Sequence, residues 1–314
     1  MNLLPVARAH ETYVLPPAQV QVDRLITIPS PLSALNDSGS AILFIAFILL
    51  ILAVLLISWK LSKSRVAKSF NHLLGKAKPY AAPFLRVLLA AAVIIGAFQR
   101  SIFGPELVLT FLPWQQILLP LLVFCGMLLL FNLWTRYVSI IIFLVYLLLL
   151  LRNPFDAIVY LDYVAALLFF FLMGSQSRDK LAEWGDKYGW IILRTGLALG
   201  LILPAIAVKF LNTQLSMDVL TQYGLARNFG LEPMFIILSA CLVEILLGLA
   251  YLTGKYLRLS TFVLIITLTA SLIFFREVLW PHLILYALSI SVLIMNRRGY
   301  NKVEVEYVKN SHEF

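Results

Sequence analysis

The chain is short of charge. Only 13% of its 314 residues are Asp, Glu, Lys or Arg, against 61% hydrophobic, and the mean hydropathy is +0.91. An ordinary soluble domain is roughly 25% charged and roughly 45–50% apolar. No core that 314 residues can build would hide the excess of Leu and Ile, so the surplus must face lipid. Cysteine is scarce as well. Cys125 and Cys241 each fall inside an apolar run, and no CxxC exists. Neither a thioredoxin-like motif nor a local zinc site can be built, and both read as small buried side chains. Of the four histidines, His10, His72, His282 and His312, none lies in the middle of an apolar run, which removes bis-His haem from the interior. HExxH, Walker A, GxGxxG and GxSxG are all missing. No metal set is read, and no cofactor is evident from any motif. The inverted repeats and broken helices of many secondary transporters are also missing.

What is present is a series of apolar runs. Residues 41–59 hold no charge, and at a rise of about 1.5 Å per residue they match a hydrocarbon core of about 30 Å. Further spans read as 82–99, 117–132, 137–151, 156–174, 190–210, 233–252, 259–275 and 283–296. The fold class is therefore an all-α membrane protein with nine transmembrane helices. The first 40 residues are polar and interrupted by Pro5, Pro16, Pro17, Pro29 and Pro31, too closely for a long helix. Asn36 to Ser40 offer N-cap chemistry for the first span. Ala7-Arg8-Ala9 resembles the end of a signal peptide, but MNLLPV is too short for its apolar region. Cleavage there would expose His10, whose amine and imidazole could chelate copper; a plain extracytoplasmic tail is the preferred reading. The stretch 302–309, KVEVEYVK, alternates polar and apolar and carries no site.

Charge sets the orientation. Residues 60–86 carry Lys60, Lys63, Arg65, Lys68, Lys76, Lys78 and Arg86 and no acid, which marks a cytoplasmic segment. With nine spans and the N-terminus outside, eighteen of the 25 Lys and Arg residues fall in the cytoplasm. The formal charge of +9 is then a topology signal, and no nucleic-acid partner is expected. The protein is placed in the cell membrane, multi-pass, with an extracytoplasmic N-terminus and a cytoplasmic C-terminus. The lipid bilayer is its first partner.

The spans after the first form an internal duplication. Aligning Gly126 with Gly248 puts Arg136 on Arg258, and Arg86 in PFLRVLLA matches Arg194 in IILRTGLA. Each unit holds four spans, so both enter from the same side as parallel repeats. The organisation read is an N-terminal tail (1–40), a leading helix (41–59), a basic linker (60–81), a first four-helix bundle (82–174), a second (190–296) and a C-terminal tail (297–314).

The second unit resembles the DoxX-like membrane proteins. The residues that carry this are ILRTGLALGLILPAIAVKF, with Arg194 and Lys209 near its ends, a loop with Gly224 and Gly230, CLVEILLGLAYLTG with Glu244, and Arg258 after a short turn. The first unit looks like a degenerate copy, with Leu122 where the second has Glu244. The resemblance implies a four-helix membrane bundle and membership of a redox or respiratory assembly, as a subunit or accessory protein, with quinone as the cofactor to consider. Two other readings stand beside it: a non-catalytic membrane scaffold or assembly factor, and a small-molecule transporter. Whether the chain is an enzyme is left open.

Glu244 is the first candidate site residue. An acid at mid-span costs about 2.5–3.5 kcal/mol on insertion scales, so it needs a partner or a neutral state. Counted from the inner ends of their spans, Glu244 lies about 12 Å deep and Arg194 about 6 Å, while Lys209 is about 18 Å from Glu244 in depth. The expected pair is Arg194–Glu244, either locking two helices or serving a function. Ser260, Thr267 and Ser271 share one helical face and read as helix–helix hydrogen bonding or as a polar wall for a quinone-like head group. Lys209, Arg276, Glu277 and His282 read as ordinary outer charges with an aromatic belt around Trp280, or as a docking face for an extracytoplasmic protein partner. Asp162 reads as a surface carboxylate drawn toward the headgroups.

Overall fold

The computed structural model describes residues 29–62, 64–109, 114–152, 154–174, 179–275 and 277–295. The signal-peptide-like match, His10 and 302–309 lie outside them, as does Arg276. Helices dominate. Among the described residues, six are long and apolar enough to cross a membrane: α1 (Ser38–Leu61), α2 (Arg65–Phe98), α4 (Thr135–Arg152), α6 (Lys180–Pro204, continued by a π-helix Ala205–Phe210), α9 (Pro233–Thr253) and α10 (Leu257–Phe274). Three shorter apolar helices accompany them: α3 (Gln115–Leu130), α5 (Leu161–Met173) and, after α10, α11 (Leu283–Ile294). Two polar-flanked helices, α7 (Thr213–Gln222) and α8 (Leu225–Phe229), fill the long connection before α9. A small antiparallel hairpin, β1 (Ser101–Ile102) and β2 (Gly104–Val108), follows α2. These are the helices of a multi-pass membrane protein, with apolar surface suited to lipid.

Local chemistry fixes the helix starts. Asp37 caps α1 by accepting from the Ser40 amide at 2.7 Å, and the Ser40 contact holds its carboxyl below the usual range. Ser64 caps α2 and Asp179 caps α6 in the same way. Two boundaries therefore differ from the hydropathy reading. Residues 65–81, read as a linker, are helical and continuous with the second span, and α6 begins ten residues before 190. Hydropathy ends where the lipid ends, but backbone hydrogen bonds continue until a cap stops them.

Gly126 of α3 and Gly248 of α9 play the same part. A methyl on Gly126 would run into Ile94 and the Ala90 carbonyl of α2; a methyl on Gly248 would meet Ile202 and the Ala198 carbonyl of α6. The glycines are 122 residues apart and their partners 108 apart. From these glycines onward the spacing of 122 holds. Asn132 and Trp134 have left-handed backbones, and so do Gly254 and Tyr256 in the following hairpin. Helices α4 and α10 begin and end 122 residues apart, and the 3-10 turns Ile158–Tyr160 and Trp280–His282 do so too.

The two halves are not separate bodies. Helix α5 packs most extensively on α6, and α11 on α2, so each half lends its last helix to the first helix of the other. Two arginines repeat this exchange. Arg136 at the start of α4 grips the Asp179 carboxylate with both terminal nitrogens, at 2.5 and 3.1 Å, and donates to the Phe171 and Leu172 carbonyls at the end of α5. Arg258, 122 residues later, donates to the Asn71 side chain on α2. Asn71 and Asp179 are again 108 apart. One hydrophobic core runs through both halves, from Leu85 and Leu89 to Leu288 and Val292.

Candidate functional site

The site is a cavity of about 490 Å³ in the second half. Its walls come from α6, α9 and α10, its roof from α7 and α8, and Phe47 of α1 reaches its edge. Most of the lining is Leu, Ile, Val and Phe, but two acid–base pairs enter it. Lys209 Nζ lies 2.8 and 2.9 Å from the two carboxylate oxygens of Glu244. His282 Nε2 lies 2.8 Å from Glu277 Oε2, which also accepts from the Ser271 hydroxyl at 2.7 Å. Both side chains of the second pair are almost fully buried, and those of the first are 17% and 29% exposed. The Ser239 hydroxyl on the cavity wall is buried with no hydrogen-bond partner among the described residues.

The expected Arg194–Glu244 pair is replaced by Lys209–Glu244. Three physical reasons combine. First, the register differs from one in which span ends coincide. Gly248 lies against Ala198, and the Cys241 thiol donates to the Ala205 carbonyl, so Glu244 is level with about residue 202. Arg194 instead sits beside Gly254, about 15 Å away along the helix. Second, helical side chains lean toward their own N-terminus. On antiparallel α6 and α9, Lys209 and Glu244 lean toward each other, whereas Arg194 and Glu244 lean apart. Third, Pro204 cannot donate a backbone hydrogen bond, and the next six residues are π-wound. On a regular α-helix Lys209 would stand about 140° around from Pro204; the wider π turns bring both onto the cavity face. Pro204 five residues before Lys209 was the sequence signal available for this. Arg194 stacks its guanidinium over Trp190, 4.4 Å from the ring centre.

The other candidates divide. Thr267 and Ser271 line the cavity; Ser260 does not, and its hydroxyl returns to the Tyr256 carbonyl of its own helix. Lys209, Glu277 and His282, read as outer charges or a docking face, turn into the cavity. An outer surface would have left the Glu277 carboxylate and the His282 imidazole solvated, but the loop after α10 turns both into the cavity. Asp162 is also not a surface group. It is 3% exposed, with its Cβ packed where a methyl on Gly200 would stand. Both cysteines are buried. Among the described residues no three His, Cys, Asp or Glu side chains converge as metal ligands.

Chemically, the cavity offers hydrogen-bonding groups within a mostly apolar lining. Its ammonium, two carboxylates, imidazole and free hydroxyl can exchange hydrogen bonds with a polar head while the Leu and Phe walls hold an apolar body. Comparison of the chain with protein-family models, with curated proteins and with solved structures finds no match.

Proposed function

We propose that this is a nine-span membrane protein, one leading helix plus two parallel four-helix units made by duplication, that serves a redox or respiratory assembly as a membrane subunit or accessory protein. Its second unit holds a lipid-soluble, quinone-like molecule. The three shorter apolar helices complete the nine spans, and the N-terminus is outside. The repeated 122-residue spacing of glycines, left-handed residues and helix ends supports the duplication. The DoxX-like residues quoted above supply the redox context.

The observation that carries the ligand reading is the meeting of Lys209–Glu244 and Glu277–His282 in one apolar-walled cavity. Packing alone does not require two ionisable pairs around an open space. The test is mild-detergent purification followed by lipid extraction and mass spectrometry. A quinone at near-stoichiometric amount, lost in Glu244→Gln while the variant remains folded, is the expected result. Protein that carries no quinone and no redox partner sinks the proposal.

One observation also favours a small-molecule transporter: the cavity reaches Glu244, about midway along α9. That reading requires solute flux in vesicles that stops in Glu244→Gln. Binding without flux decides for the first reading.

A further inference from the structure

We infer that residues 65–80, the first half of α2, lie flat in the membrane surface and bind the phosphate headgroups of anionic lipids. No acid occurs between Asp37 and Glu106. At the 3.6-residue period Arg65, Lys68, His72 and Lys76 occupy one arc of about 80°, and all four are exposed. Val66, Phe70, Leu73 and Tyr80 occupy a second arc of about 80°, also exposed, from 40% for Phe70 to 78% for Val66. The third face meets the protein along its first part, with Ala67 buried and Asn71 accepting from Arg258, while Lys78 near its end is exposed. A helix that is basic on one side and openly apolar beside it is built for the boundary between headgroups and acyl chains.

The ends of the segment support the same placement. Exposed aromatic rings mark one boundary of the bundle: Trp59 at the end of α1, Trp134 and Tyr137 at the α3–α4 turn, and Tyr256 at the α9–α10 turn. Such rings settle at the headgroup level. The chain is at that level at Trp59, again where Phe70 and Asn71 meet Arg258 beside Tyr256, and again at Ala81, whose carbonyl accepts from Ser291 near the end of α11, which lies beside the start of α10. A run of about 24 Å that begins, passes and ends at one depth travels along the surface. Pro79 and Pro83 lie where it must turn into the bilayer. Anionic phospholipid is the occupant that supplies both acyl chains for Val66 and Leu73 and phosphates for Arg65, Lys68 and Lys76.

The full chain in nanodiscs of equimolar phosphatidylcholine and phosphatidylglycerol tests this by the lipid retained after mild detergent exchange. The expected result is phosphatidylglycerol retained over phosphatidylcholine by about tenfold or more. The excess disappears in Arg65→Gln/Lys68→Gln/Lys76→Gln and in high salt, and persists in Lys68→Arg/Lys76→Arg. Equal retention of the two lipids by the wild type overturns the inference, and with it the choice of lipid over an acidic protein surface. A second measurement is independent of how the triple variant folds. A fluorophore on Leu73→Cys is expected to be quenched by nitroxide lipids labelled near the headgroup, and quenching by aqueous iodide alone overturns the placement.

Discussion

The two halves of the molecule share features at a spacing of 122 residues and are filled differently. At the spacing of 122, the cavity residues Glu244, Thr267, Ser271 and His282 correspond to Leu122, Val145, Leu149 and Tyr160, all buried in the core. Where α7 and α8 roof an open space in the second half, the β1–β2 hairpin drives Phe103 into the first. Its ring stacks on Tyr163 at 4.3 Å, with Tyr146 and Tyr160 at 5.9 and 6.3 Å. A protein interior packs to the density of an organic crystal unless something keeps it open. The first half shows that this framework can be filled by its own side chains. The second has ionisable groups where the first has Leu and Tyr, and a cavity lies among them.

The largest expected effect comes from breaking the filled half. Phe103→Ala should cost about 3–5 kcal/mol of stability, read as a fall in melting temperature in detergent, because its ring has no partner able to collapse into the space. A near-neutral result would mean that the hairpin is not a structural plug. Next come the paired glycines. Gly126→Val and Gly248→Val each push a side chain into an isoleucine of the neighbouring helix, Ile94 or Ile202, and toward a carbonyl beside it, and should cost about 1–3 kcal/mol apiece. Similar losses sharpen the equivalence of the halves, and a loss in only one breaks it.

A smaller effect separates the halves at the site. Glu244→Gln and Lys209→Met should each cost about 1–2 kcal/mol, at the low end for a buried pair because both groups are partly exposed. Because each single variant strands the other charge, the double variant should recover much of that loss. Leu122→Gln in the first half has no such compensating change. Additive losses at Glu244 and Lys209 would show that the pair does not couple.

The smallest effect concerns the exchanged arginines. The Arg136 guanidinium, helped by the Ala182 amide, pulls the Asp179 carboxyl from 3.8 down to about 2. The contact is therefore fully stabilising above about pH 4 and is lost as the pH falls through about 2. Melting curves of the wild type should drop over that window more than those of Asp179→Asn. The matching Arg258–Asn71 contact has no carboxylate, so Asn71→Ala should leave the window unchanged. Identical pH profiles for wild type and Asp179→Asn would remove Asp179 from the account.

Much of this was legible in the residues. The apolar runs located the long helices, because a transmembrane helix must satisfy its own backbone and show lipid an unbroken apolar surface. N-cap chemistry within Asn36 to Ser40 could be read because it depends on local hydrogen bonding, and Gly126 and Gly248 could be singled out, each of which lies close against a neighbouring helix. Glu244 could be singled out because an acid at that depth always needs an explanation. Its partner could not be read. That depended on helix register, on the opposite lean of side chains from antiparallel helices, and on a π-turn after Pro204, none of which hydropathy reports. Nor could the inward turn of Glu277 and His282 or the plug made by Phe103. Sequence by itself determined which segments prefer lipid and which residues are costly there, since both follow from each residue's own solvation. Only the tertiary structure decided which costly residues meet and which half stays open, since both depend on shape complementarity between segments far apart in the chain.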